Sequence, residues 1–424
     1  MAATVSLAID ELRVGVTCSH RVLGENDILL IGAGTSITAN LISGLHDRGI
    51  THIDVDARDL AALRGESQNK ATSSKAAQTP TKTKKQVVEF VSGKQVKDLL
   101  VGRHDESLSP ERAEVLSQNM AQAKSSFQAI EQELASCGIR SIEAMSTVSD
   151  SYARIMVDDH DQTVGKMNEV DAASDDEMIA YDQRSVRLSV LGMSLAIQME
   201  LDGQEVIDVG MTGLLHDLGI KKMDDRFCQP IEKLNSKDRW EFQKHPKVSV
   251  DCVSGVIDLA PSVLVAMLQV HEQFDGSGYP RGLKGSRIHK YARILSFADA
   301  YLDLTTPNSV RDGIVPHDAL AIMLQQAARG VFDPLVVRAF VNIETMFPLG
   351  SEVELESGQK AQVIRRPLSG YSTPILLGVD GNRIDMALDP SVKIVRPVIN
   401  HRQMRVAHDA TTAGQWHPMR HFGA

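Results

Sequence analysis

Aromatic residues make up only 4% of the 424-residue chain, while methionine occurs sixteen times. A β-sandwich core leans on aromatic and β-branched side chains, so this balance favours helices. The four cysteines, Cys18, Cys137, Cys228 and Cys252, are far apart and form no CxxC pair. That excludes a disulfide framework or a cysteine zinc knuckle and fits free thiols in a reducing compartment. No run approaches the ~20 apolar residues of a membrane span. The opening MAATVSLAIDELRVG has neither a basic start nor a long apolar core, so a signal peptide is not expected and a cytoplasmic location is. Positive charge is also short: the net charge is −10. A nucleic-acid polymer held through its phosphates needs a basic face, and that class is excluded. A small anionic ligand held by a metal ion or a single arginine is not.

What is present changes character along the chain. Residues 1–63 read as a small α/β module. The strand Ile28–Ile31 is followed by a glycine turn, a helix ending at Gly49, and a closing strand in THIDVD. The GAGTS turn lacks the remaining glycine of GxGxxG and the Gly-Lys-Ser/Thr of a P-loop, so it does not predict nucleotide binding. Residues 64–86, rich in Ser, Thr, Ala, Gln and Lys, read as a flexible basic linker. Residues 87–175 read as a helical connector. Its main helix starts at Ser109 as N-cap and Pro110 as first residue, with Glu111 at the positive end of the helix dipole. Val115, Met120, Phe127, Ile130 and Leu134 form its apolar stripe. Residues 176–345 carry one amphipathic helix after another and no strand pattern. Residues 346–398 alternate β-branched residues with Gly and Asp turns, which predicts a β-barrel-like appendix. Residues 399–424 read as a disordered tail.

The helical stretch carries the chemistry. LLHDLG places His216 and Asp217 at the end of an apolar run. A buried carboxylate is expensive unless paired or bound to a metal, and imidazole and carboxylate side by side converge on one cation. Four other His-Asp pairs, at His46, His104, His160 and His317, sit in polar or terminal contexts and are expected to be solvated or capping pairs. His216-Asp217 differs because His245, His271 and Asp299 follow, each on an apolar helix. Taken together, these five residues predict a metal site.

The order HD, then HP in QKHPKVS, then HE in QVHEQFDGSGYPRGL, then AD in ILSFADAYLDL resembles the HD-GYP domain, a branch of the HD superfamily of metal-dependent phosphohydrolases. The likeness covers about 176–345. It implies a mainly α fold, an HD-type helical bundle, with the α/β module and β appendix as flanks. It implies iron or manganese ions, one or two here, held by His216, Asp217, His245, His271 and Asp299. It also implies hydrolysis of the bacterial second messenger cyclic di-GMP to pGpG or GMP in signal transduction. In this reading Gly278, Tyr279 and Pro280 shape the substrate loop, with Tyr279 stacking on a guanine base. Arg184 and Arg311 hold phosphate, Glu272 orients His271, and Asp275 helps the loop approach.

Several positions depart from the family pattern. Arg184 stands where a histidine is usual, Ala180 where some members have an acidic residue, Val270 where a first histidine precedes HE, and Ile220 where a lysine contacts phosphate. After Asp299 only Arg311 survives of a basic segment, with Asn308 beside it. Arg184 therefore has two readings. Its guanidinium either fills a vacated ion's region and pairs with Asp217, Asp299 or phosphate, or it marks decay and turns to solvent. The chain likewise has two: a metal-dependent phosphodiesterase, or a non-catalytic module that keeps the fold to bind nucleotide or a partner signalling domain. Helix-rich signalling proteins often form homodimers, but no heptad seam here is long enough to require one.

Overall fold

The computed structural model describes residues 94–136, 139–168, 177–400, 402–406 and 416. It also describes 4–9, 12, 16, 22–23, 29–31, 37, 50–56, 58–59 and 63. The chain divides into two compact units, Met1–Lys85 and Gln86–Ala424.

In the first unit, β1 (Thr4–Ala8) pairs antiparallel with β4 (His52–Asp56), running from Thr4 opposite Asp56 to Ala8 opposite His52. With β2 (Val22–Leu23) and β3 (Leu29–Ile31) they make a four-stranded sheet in the order β1-β4-β2-β3. Leu7, Val22, Ile37, Ile53, Val55 and Leu63 form its core. The strands expected at 28–31 and in THIDVD are found. The GAGTS turn, the helix ending at Gly49 and the linker 64–86 lie outside the described residues.

In the second unit the connector, the bundle and the C-terminal sheet share one hydrophobic core. The boundary at 345/346 thus separates helices from sheet within one body, and that at 175/176 falls between two helical stretches of it. Helix α1 (Pro110–Ser136) starts as expected: the Ser109 hydroxyl accepts the Arg112 N–H at 3.3 Å. Its buried stripe runs through Leu116, Ala123, Phe127, Ile130 and Leu134, while Val115 is 37% exposed. Phe127, Ile130 and Leu134 are buried as expected and Met120 packs against the core, while Leu116 takes the place of Val115 in the stripe. Next come α2 (Glu143–Asp158), α3 (His160–Asn168), the central α4 (Glu177–Gln198) and α5 (Gly203–Leu215). Asp202 and Glu205 close a capping box at the start of α5. A Cβ on Gly213 would sit 2.8 Å from Ser189 Cα, so glycine is what lets α5 press against α4. That contact positions the end of α5, where His216 follows.

The QKHPK stretch separates two helices, α6 (Ser236–Phe242) and α7 (His245–Val253). Pro246 has no N–H to give the Phe242 carbonyl four residues back, so the ladder stops there. Helices α8 (Pro261–Gln269), α9 (Lys290–Thr305), α10 (Pro316–Ala328) and α11 (Pro334–Glu344) complete the bundle. Among the described residues no helix is long and apolar enough to cross a membrane.

The C-terminal strands β6 (Glu352–Leu355), β7 (Lys360–Arg365), β8 (Ile375–Gly378), β9 (Arg383–Asp385) and β10 (Ile394–Pro397) form a five-stranded antiparallel sheet, ordered β10-β6-β7-β8-β9. Its ends, β10 and β9, are separate edges, so it is an open sheet and not the expected barrel. One short strand, β5 (Gly313–Ile314), interrupts the helices and pairs in parallel with β11 (Gln403–Met404). The residues described beyond 399 are accordingly not disordered: Arg405 pairs with buried Asp318 at 2.7 Å, and Trp416 is buried.

Two of the four His-Asp pairs expected to be solvated or capping pairs are partly internal. His160 is buried, with Nε2 2.8 Å from the Ser194 hydroxyl, and Asp161 pairs with Arg366 at 2.7 Å. Asp318, just described, is the second. Close to Asp161, Glu344 is wholly buried and accepts two 3.0 Å hydrogen bonds from Asn168 Nδ2. Burial pushes its pKa up to about 7, against the opposing pull of Asn168 and Arg366 and with help from Asp161. In the unfolded chain it titrates near 4.5. Between these values the native state holds a proton that the unfolded chain has lost, so stability falls as pH rises through this window and is level above it. The drop attributable to Glu344 is about 3 kcal/mol. Urea unfolding at pH 5 and pH 7.5 checks this: Glu344→Gln should remove that part of the difference.

Candidate metal centre

All the site residues but Asp299 arrive at an end of an element. His216 follows α5, and its Nδ1 lies 3.0 Å from the Gly213 carbonyl. That bond protonates Nδ1 and leaves the Nε2 lone pair facing inward. Asp217 starts the 3-10 turn Leu218–Lys222. A Cβ on Gly219 would come within 2.4 Å of Ser249 N and 2.7 Å of His245 O, so glycine lets this turn lie directly on α7. His245 opens α7, and its Nδ1 takes the Phe242 carbonyl at 2.8 Å, the acceptor that Pro246 left unused. The helix break thus orients the imidazole. His271 follows α8, and Asp299 sits on α9.

These groups converge. Asp217 Oδ1 is 3.1 Å from His245 Nε2 and 3.4 Å from His271 Nε2, and Asp217 Oδ2 is 3.1 Å from His216 Nε2. The Nε2 atoms of His245 and His271 are 2.9 Å apart. Ligand atoms of His216, Asp217 and His271 all lie within 4.8 Å of one another. Two ligands of one ion at about 2.1 Å each stand about 3–4 Å apart, so the spacing suits a shared cation. His216 Nε2 is buried and, despite its nearness to Asp217, is not aligned to hydrogen-bond with it or anything else described. An unpartnered buried imidazole nitrogen among carboxylate and imidazole donors fits a divalent metal ion.

The charges agree. Burial would raise the Asp217 pKa, but His216, then His245 and His271, hold it well below the usual carboxylate range. Burial lowers His216, yet the Asp217 and Asp299 carboxylates leave it raised. His245 stays lowered, because burial outweighs Asp217. A neutral His245 and an ionised Asp217 are the forms that bind metal, and a cation between Asp217 and His216 would take the place of the proton that the carboxylates favour on His216.

The remaining expected residues divide. Asp299 reaches the cluster only at its edge: Oδ2 is 3.6 Å from His271 Nδ1, while Oδ1 accepts Arg184 Nη2 at 2.6 Å. Arg184 therefore faces the site and not solvent. Tyr279 stacks on the His271 ring, with centroids 5.0 Å apart and planes 12° apart, so that ring face serves histidine and not a guanine base. Burial, then Asp217 and Asp299, push its phenol well above the usual range. Gly278 packs the loop against the chain after α8: a Cβ there would lie 2.3 Å from Gln273 N and 2.4 Å from His271 O. Pro280 follows a cis peptide bond.

Three expectations are corrected. Glu272 does not orient His271; its carboxylate accepts the N–H groups of Arg281 at 2.7 Å and Leu283 at 2.8 Å and so ties down the loop's return. Asp275 caps the loop internally, accepting Ser277 N at 2.9 Å. Arg311 does not hold a phosphate position; it is engaged by Glu232 at 3.2 Å and Asp303 at 3.2 Å. Lys221, beside buried Ile220, binds Glu131 and Asp182 and so ties the turn to the connector helix. Sequence reasoning missed Asp303, whose charge also acts on Arg184. Its i, i+4 spacing from Asp299 places both carboxylates on one face of α9 and was the available signal.

The HD domain family matches residues 156–336. A cyclic di-GMP phosphodiesterase of Pseudomonas aeruginosa is 32% identical over 190 residues, 45% of this chain and 45% of that protein. The cyclic di-GMP phosphodiesterase response regulator RpfG of Xanthomonas campestris is 32% identical over 157 residues, 37% of this chain and 41% of its own. The 3'3'-cGAMP-specific phosphodiesterase 1 of Vibrio cholerae is 30% identical over 160 residues, 38% of this chain and 37% of its own. The match thus spans less than half the length of each of these relatives.

Proposed function

We propose, from the premise that this chain carries an HD domain of the HD-GYP type, that it is a metal-dependent phosphodiesterase opening cyclic di-GMP to pGpG or GMP. The carrying observation is the buried, unpartnered His216 Nε2 facing Asp217 among three imidazoles. The phosphodiesterase names of the relatives support the choice of substrate class.

A divalent ion, iron or manganese, supplies charge to the phosphate oxygens and lowers the pKa of water. The chain's own residues prepare the place. His216 and His245 form the floor, both side chains 0% exposed, with Nε2 turned inward by the Gly213 and Phe242 carbonyls. Asp217, His271, Asp299 and Arg184 form the mouth, with side chains 11%, 13%, 17% and 20% exposed. An anionic phosphodiester entering from solvent meets the Arg184 charge first and then the cluster. Tyr279 backs the His271 ring, and Glu272 pins the loop that carries Tyr279, so the mouth keeps its shape as substrate arrives. The free thiol of Cys252 accords with a cytoplasmic location.

The test is direct. Protein loaded with manganese or ferrous ion under reducing conditions is incubated with cyclic di-GMP and, separately, 3'3'-cGAMP, and products are separated by liquid chromatography. Linear pGpG or GMP that disappears after chelation is expected. Metal-loaded, folded protein that returns cyclic di-GMP intact would overturn the reading.

A further inference from the structure

We infer that Arg184 is the second positive centre of this site, so that the cluster holds one divalent ion and not two. The inference rests on the metal reading above and concerns how many ions that site takes.

Arg184 Nη2 donates to Asp299 Oδ1 at 2.6 Å and to the Asp299 main-chain carbonyl at 3.0 Å. A guanidinium does not lose its proton in a protein, so this is a fixed cation on a carboxylate that a metal would otherwise recruit. Asp303 and Asp217 add negative charge near it. Asp303 is itself paired with Arg311, which keeps that carboxylate engaged at the back of the pair.

The imidazoles leave little for a second ion. The Nδ1 atoms of His216 and His245 are spent on the Gly213 and Phe242 carbonyls, and both Nε2 atoms face Asp217. Beside Asp299 there remains only His271 Nδ1, 3.6 Å from Oδ2. A dication placed there would have one imidazole, half a carboxylate and a guanidinium repelling it at close range.

The charge count points the same way. Asp217, Asp299, Arg184 and one dication leave a single positive charge, which one phosphodiester group neutralises. A second dication would leave three. Arg184 keeps Nε and Nη1 without a hydrogen bond among the described residues, so the same side chain that closes the second ion position has donors for a phosphate oxygen.

Manganese content by mass spectrometry and the electron paramagnetic resonance spectrum of the full-length protein test this. One manganese per chain with an isolated six-line signal is expected. Asp299→Asn should keep that one ion, its affinity weakened by no more than the roughly 10–100-fold typical of a partner that does not itself ligate. Arg184→Lys should also stay at one ion, whereas Arg184→Ala should admit a second at raised manganese. Two ions in the unaltered protein with a coupled spectrum, or loss of the ion in folded Asp299→Asn, overturns the inference and leaves the metal reading standing. No ion in the unaltered protein overturns both.

Discussion

On the proposed activity, Asp217→Asn is expected to strip the protein of a divalent ion and lower cyclic di-GMP turnover by about a thousand-fold or more. Asparagine keeps the shape of aspartate and removes only its charge, so the loss reads the electrostatics of the site and not its packing. Asp217 is the one carboxylate within 3.4 Å of all three imidazoles, which it meets at 3.1, 3.1 and 3.4 Å. Changes beyond the ligands cost about 10–100-fold in affinity or activity, and a ligand shared among three neighbours costs more. Without the ion, attacking water keeps a pKa near 15.7 instead of about 7. Mass spectrometry for metal and a chromatographic assay for pGpG and GMP check both halves. Thermal melting separates them from misfolding.

That Asp217 would matter was legible before any coordinates. An imidazole-carboxylate pair closing an apolar run demands a partner, and three further polar residues on apolar helices supplied it. The histidines that line the floor are set by local chemistry: one carbonyl three residues back in each case, with Pro246 freeing the second. Such signals lie within a turn of the residue itself. The misreadings involve partners far along the chain. Arg311 looked available because Glu232, 79 residues earlier, is joined to it only by the fold. Glu272 looked like a ring partner because the loop's return to it, nine and eleven residues on, is a tertiary event. His160-Asp161 looked solvated because Arg366 lies 205 residues away. In α1 the error was smaller: adjacent apolar residues at 115 and 116 fit the same stripe, and only packing against the neighbouring helices chose Leu116.

The same long-range pairing carries the largest expected effect on stability. Arg365, on β7 in the C-terminal sheet, donates through both Nη atoms to Asp159 at 2.9 Å each. Asp159 sits between α2 and α3 and also caps α3 by accepting Gln162 N at 3.0 Å. Both side chains are buried, at 1% and 3% exposure. Arg365→Met leaves the buried Asp159 carboxylate with only the more distant Arg112, at 3.5 Å, and should cost about 3 kcal/mol. The double variant Asp159→Leu, Arg365→Met should lose less than the single one, because no uncompensated charge is left buried. Urea unfolding of the unaltered protein, both single variants and the double variant measures the coupling. The shape of the transition carries a second result. Val353, Val363 and Leu376 of the sheet belong to the same core as Tyr152 and Met156 of the connector, so sheet, connector and bundle should unfold together. An early separate transition in Arg365→Met, with the bundle's unfolding unchanged, would instead make the sheet an independent appendix.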